Sequence, residues 1–326
     1  MTPPTDSHAA VAAEDKAQSH SGRRDQGLGP NGIGALWMLA SVVGATGMTL
    51  GVREASADLH TAMIAFLRAA LGVIPVLVLL PRLITPDPAR RPIRFSAWHF
   101  HVIRAIGLCG ALNAGFYAIA HLPIATASVL FFLAPVFATI AATAILGEAV
   151  GLRRWSAVAA GFVGTLVILR PGLTVFEPAM VAAILSASCF GLCLVVGRLA
   201  SDRDGSDAVF VSSSVLVAIF TLPGALIFWR LPETLVLWLV IGVVVASSSL
   251  RTYADIRAYA IGDVGFLAPF TYLRLITVGV AGWLLFDEVP DAATLGGGAI
   301  IIAATLYIAV REARVKASLR AQRGDH

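Results

Sequence analysis

The feature that most constrains this chain is a succession of ten apolar runs, most of them near the length that crosses a lipid bilayer. They fall at about 33–52, 59–80, 98–119, 124–146, 155–169, 178–199, 208–229, 235–259, 265–286 and 292–310, with short links between them. A hydrocarbon core takes roughly 20 apolar residues as a helix. Lipid offers no partners to backbone N–H and C=O groups, so each run must be a helix that satisfies its own backbone. A membrane β-barrel would need shorter runs with strict alternation, and the sequence has no such pattern. Composition points the same way: 57% of the residues are hydrophobic and 13% charged, against about 45–50% and about 25% in soluble domains. The expected class is an all-α integral membrane protein.

Lysine and arginine set the orientation. With the N-terminus in the cytoplasm, ten passes place Lys16, Arg23, Arg24, Arg82, Arg90, Arg91, Arg94, Arg153, Arg154, Arg198, Arg203, Arg257, Arg311, Arg314, Lys316, Arg320 and Arg323 inside. Only Arg53, Arg170 and Arg230 then fall outside. Both termini are expected in the cytoplasm and the chain in a bacterial inner membrane. The polar stretch 1–32 lacks the apolar core of a signal peptide and reads as a disordered cytoplasmic tail, and 313–326 as a basic one.

The chain also looks duplicated. A shift of 140 residues lays 116–170 on 256–310 without a gap, bringing Glu148 onto Glu288, each closing a helix, and Thr165-Leu-Val-Ile168 onto Thr305-Leu-Tyr-Ile308. Two halves are expected, 33–172 and 173–312, each of five helices. An odd number of passes inserts the second half upside down relative to the first. The charges agree: Arg153-Arg154 correspond to Ala293-Thr294, beside Asp287, Glu288 and Asp291. Inverted repeats of this kind belong to secondary transporters, whose substrate sites lie near mid-membrane between the halves.

Several motifs carry a resemblance. Arg104-Ala-Ile-Gly107, Gly115-Phe-Tyr-Ala-Ile-Ala-His-Leu-Pro123, Phe132-Leu-Ala-Pro135, Leu146-Gly-Glu148, Gly161-Phe-Val-Gly164 and Leu169-Arg-Pro-Gly172 resemble the first half of EamA-type members of the drug/metabolite transporter superfamily. Ala268-Pro-Phe-Thr-Tyr-Leu-Arg274-Leu275 and Gly282-Trp-Leu-Leu-Phe-Asp-Glu-Val-Pro-Asp291 resemble the second half. The resemblance covers about 33–312. It implies ten helices in two inverted five-helix repeats around a central cavity, and transport of metabolites such as amino acids, S-adenosylmethionine or riboflavin. The Tyr272-Leu-Arg274-Leu275 block is similar to the branch that carries the last two. One departure is the polar eighth run, Ser247-Ser-Ser-Leu-Arg-Thr-Tyr-Ala-Asp255-Ile-Arg257-Ala-Tyr259, where the family is usually apolar.

Candidate site residues follow from the cost of charge in lipid, roughly 2.5–3.5 kcal/mol for an arginine at a helix centre. Four arginines lie inside the runs: Arg68, Arg104, Arg251 and Arg274. Arg104 is near enough to the cytoplasmic end to snorkel. Arg251 has Asp255 one turn away, as a structural link or a polar cavity pair. Arg68 and Arg274 lie near helix centres, and their planar forks suit either freed backbone carbonyls or an anionic or carbonyl-bearing substrate. Asn113, Tyr272 and Phe132 are candidate substrate contacts, the two rings because they could stack on a flat ligand. Pro135 and Pro269 interrupt the fourth and ninth runs as fixed kinks or hinges. The cysteines Cys109, Cys189 and Cys193 and the glycines Gly44, Gly47, Gly107, Gly110, Gly161 and Gly164 read as packing residues.

These features favour a secondary carrier of a small organic metabolite working by alternating access. An integral-membrane enzyme would want clustered His, Asp or Glu near one face, and His99 and His101 point to different sides of a helix. A channel remains the other alternative. No nucleotide-binding loop of the Gly-x-x-x-x-Gly-Lys type is present. No catalytic residue, metal or cofactor is expected, and no basic stripe interleaved with aromatics invites nucleic acid. The expected partners are the small-molecule substrate and the bilayer, and a homodimer is compatible with the architecture.

Overall fold

The computed structural model describes residues 30–74, 94–147, 152–169, 177–261, 267 and 270–324. Among them the chain is all helix: α1 (Pro30–Ala55), α2 (Thr61–Leu71), α3 (Trp98–His121), α4 (Ile124–Phe131), α5 (Ala134–Leu146), α6 (Leu152–Leu169), α7 (Pro178–Asp204), α8 (Ser206–Ile227), α9 (Leu235–Ile261), α10 (Leu273–Phe286) and α11 (Ala292–Gly324). Six stretches are long and apolar enough to cross a membrane: α1, α3, the α4–α5 rod Ile124–Leu146, α7, Asp207–Ile227 and Leu235–Ala258. Four shorter apolar helices, Thr61–Leu71, Trp155–Leu169, Leu273–Phe286 and Ala292–Tyr307, accompany them. The second and ninth runs are thus shorter as described helices than as sequence runs, and part of each lies outside the described residues.

The fourth run is broken at Phe132–Leu133 and not at Pro135 itself. Proline has no N–H to give to the carbonyl four residues earlier. The chain tightens upstream instead: Phe132 N–H donates to the Val129 carbonyl and Leu133 N–H to that of Leu130, each three residues back. Pro135 then occupies the first turn of α5, where a missing N–H costs nothing.

The burial pattern is that of a protein whose solvent is lipid. Leu36, Val43, Val163, Leu226, Leu239, Leu284 and Leu285 point outward. The interior is rich in small side chains, Ala45, Ala65, Ala105, Ala118, Ala127, Ala183, Ala187, Thr49 and Ser128 among them. Helices in lipid associate through close packing, which small residues permit. The most extensive pairings are α1 with α9, α3 with α7, and α6 with α11; α5 also packs on α7, α2 and α3 on α8, α1 on α10 and α2 on α9. At Gly44 a Cβ would stand 2.6 Å from the Ser247 carbonyl oxygen, and at Gly164 one would stand 2.7 Å from that of Gly297. The α1–α9 and α6–α11 contacts therefore exist only with glycine at those places. Gly107 bears in the same way on Cys193, which donates to the Arg104 carbonyl.

Candidate functional site

The close approach of α1 and α9 creates the polar centre of the molecule. One turn from the Gly44 contact, Ser41 Oγ donates to Asp255 Oδ1 at 2.5 Å. Arg251, one turn before Asp255 on α9, brings Nε to 3.9 Å from Asp255 Oδ2. That is an ion pair without a hydrogen bond, so the serine grips the carboxylate more firmly than the arginine does. The start of α10 completes a small cavity of about 50 Å³, lined by Met38, Ser41, Val42, Ala45, Arg251, Asp255, Thr271 and Arg274.

Two further guanidiniums bear on this centre. Arg274 lines the cavity, and Arg68 stands on α2, which packs on α9. Both interact electrostatically with Arg251, and Arg274 also with Asp255. The Nε of each is shielded from solvent and has no hydrogen-bond partner among the described residues. A buried charged donor without an acceptor is costly, and it stands where a ligand could supply one. Arg251, Asp255 and Arg274 thus come together from α9 and α10, and Arg68 of α2 interacts with Arg251 without lining the cavity.

The other candidates lie elsewhere. Phe132 and Tyr272 stack on each other, ring centroids 5.1 Å apart, and the Tyr272 hydroxyl lies 2.7 Å from Thr305 Oγ1 on α11. One face of each ring is thus taken by the other, and neither lines the cavity. Asn113 donates from Nδ2 to the Cys109 carbonyl one turn back on its own helix. Arg104 Nη1 donates to Ser213 Oγ on α8 at 2.5 Å, and its stem crosses Gly197 on α7. Pro135 sits beside the break in the fourth run. Pro269 lies outside the described residues.

Two polar knots that sequence reasoning missed tie the helix ends. At one end, Arg53 Nη2 donates to Glu288 Oε1 at 2.6 Å, while its Nη1 reaches the carbonyls of Ile119 and Ala120 at 3.1 and 2.5 Å. Glu288 Oε2 accepts from Ile124 N–H at 2.7 Å, capping α4. The carboxylate therefore serves a helix from the other half of the chain. At the opposite end, Asp204 accepts from the backbone N–H groups of Ser96 and Ala97 and from the Ser96 hydroxyl. Its Oδ2 lies 3.0 Å from His101 Nε2, and His101 Nδ1 lies 2.7 Å from Ser212 Oγ. This resembles a hydrolytic triad, but His101 and Ser212 are buried and the carboxylate is spent on capping α3, so it links α3, α7 and α8. In the sequence Arg53 read as a charge outside the membrane, Glu288 as the close of a helix and His101 as one of two unrelated histidines, with no partner assigned to any of them.

Charged side chains gathered in the interior of a helical, multi-pass membrane protein are the mark of substrate and ion pathways, as in membrane transporters. Comparison with known proteins is specific about which. The model of the EamA-like transporter family matches residues 32–170. A riboflavin transporter of Rhizobium johnstonii is 31% identical over 219 residues, covering 66% of this chain and 71% of that protein. An S-adenosylmethionine uptake transporter of Rickettsia bellii is 29% identical over 280 residues, covering 86% of this chain and 94% of that one. A solved crystal structure 18% identical in sequence superposes with a TM-score of 0.55 over 85% of this chain and 98% of its own, which bears on the fold alone. The chain belongs to the EamA-like transporter family, whose members are transporters and not enzymes.

Proposed function

We propose that the protein is a secondary transporter that moves a small organic metabolite across the inner membrane by alternating access, with Arg68, Arg251, Asp255 and Arg274 at its substrate site. The observation that carries this reading is the pair of arginines, Arg68 and Arg274, on α2 and α10, one from each half of the chain, whose buried Nε atoms have no hydrogen-bond partner among the described residues. Riboflavin, S-adenosylmethionine and amino-acid-like compounds are the substrates to test first, because relatives over most of the chain carry the first two.

Ten passes in two inverted repeats are part of the proposal, and the packing supports them. Number the passes with α4 and α5 together as the fourth and advance each by five. The pairing of passes one and eight then becomes that of six and three; four with six becomes nine with one; three with seven becomes eight with two; five with ten and two with seven map onto themselves. All of these pairings occur. The knots support the orientation: Arg53, Ile124 and Glu288 gather at one end and Ser96, Asp204 and Ser212 at the other, as the charge bias requires of outer and inner ends. In this reading the Arg53–Glu288 knot closes the outer side.

The test is counterflow. Full-length protein in liposomes preloaded with unlabelled riboflavin or S-adenosylmethionine should take up the labelled compound transiently against its gradient, with saturation. Flux that rises linearly with concentration and ignores the internal pool would refute a carrier and leave a channel.

A further inference from the structure

We infer that the substrate of this carrier is a small organic anion held through a carboxylate or phosphate oxyanion, and that the site disfavours a cation such as S-adenosylmethionine. The inference rests on the carrier reading and concerns the charge balance of its site. Two guanidiniums, Arg251 and Arg274, line the cavity beside a single carboxylate, Asp255, and a third, Arg68 on α2, bears on Arg251. That carboxylate is already engaged, Oδ1 with the Ser41 hydroxyl and Oδ2 with Arg251. Among the described residues no other Asp or Glu lines the cavity. Two positive charges are thus left uncompensated among the described side chains, in surroundings where charge is costly.

A neutral ligand leaves that imbalance in place, and a cation worsens it. An oxyanion reduces it, and supplies the missing acceptor to Arg274 Nε, which borders the cavity. The guanidinium fork matches the two oxygens of a carboxylate or the face of a phosphate. The cavity, about 50 Å³, is well below the roughly 300–1,000 Å³ of a pocket that swallows a whole metabolite. It has room for the charged end, so the arginines read charge and the rest of the substrate lies along the pathway between the halves.

The test compares matched pairs on purified full-length protein in phospholipid-free detergent at low salt, read by the shift in melting temperature against ligand concentration. Flavin mononucleotide against riboflavin is the phosphate arm, and succinate against succinamide the carboxylate arm. S-adenosylmethionine against S-adenosylhomocysteine isolates the added positive charge. The anion of at least one of the first two pairs should act at a concentration lower by about tenfold or more, and S-adenosylmethionine should be weaker than its uncharged-sulfur analogue. Arg68→Gln and Arg274→Gln should shrink the anion preference. Asp255→Asn, which adds to the positive excess, should enlarge it, so a decision remains even if the arginine variants do not fold. Arg230→Gln, at an exposed pair with Glu233, should change nothing. Equal or tighter binding of the neutral partners, no stabilisation by either anion, or an anion preference that Asp255→Asn leaves unchanged or lowers would overturn the inference. Stabilisation by an anion with no counterflow in liposomes would refute the carrier reading and leave the charge preference standing. Counterflow that favours riboflavin over flavin mononucleotide would do the reverse.

Discussion

The arginines carry the most specific consequences at the scale of single residues. Arg68→Ala and Arg274→Ala each remove a buried charge with an unpaired Nε, so melting temperature in detergent should hold or rise while uptake into vesicles falls. Lysine keeps the charge and loses the fork, so Arg→Lys at either position should fold and still transport poorly. A loss of stability of about 1–3 kcal/mol with normal uptake by the folded fraction would make both residues packing groups. Ser41→Ala frees Asp255 Oδ1; it should cost about 0.6–1.7 kcal/mol, the usual span for a hydrogen bond between membrane helices, and weaken uptake. Residues of these two kinds differ in how legible they were. An arginine in an apolar run announces itself because lipid penalises it. Ser41 does not, since serine is ordinary in membrane helices and its partner is 214 positions away. Phe132 and Tyr272 were readable as aromatics, but that they face each other depends on two chain segments that no local pattern relates.

Among the elements, the α1–α9 contact is the one on which the site depends. A side chain at Gly44 must push Ser247 and Arg251 away, because its Cβ would meet the Ser247 carbonyl oxygen at 2.6 Å and Arg251 N at 2.8 Å. Gly44→Val should therefore lower both the yield of monodisperse protein and uptake. Gly242→Val on α9, where nothing lies within 4 Å, should leave both near wild type, as gel filtration and vesicle assays would record. The helices themselves were legible because each run must satisfy its own backbone in lipid. The break inside the fourth was legible from Pro135, and it falls just before the proline because the bond that proline removes belongs to the turn before it. The partners of each helix were legible only as glycine and alanine stripes, which say that something approaches closely without saying what.

At the scale of the whole molecule, the orientation is tested by labelling single cysteines in a background lacking Cys109, Cys189 and Cys193. Positions 153 and 154 should react only from the cytoplasm and position 291 only from outside; the opposite pattern would overturn the orientation, and labelling of both loops from the same side would remove the inverted repeat. The knot at the proposed outer face ties four pieces of chain, α1, α3, α4 and the segment after α10, to one pair of side chains. Glu288→Gln should loosen it, and a cysteine at position 122 should then label faster from outside, by about tenfold for each 1.4 kcal/mol removed. A fastening shared by four segments releases them together or not at all, so the lifetime of the closed state is concentrated in one bond set. Turnover and leak would then be coupled: a chain with a weaker knot would open sooner for substrate and, in the same proportion, more often with nothing aboard.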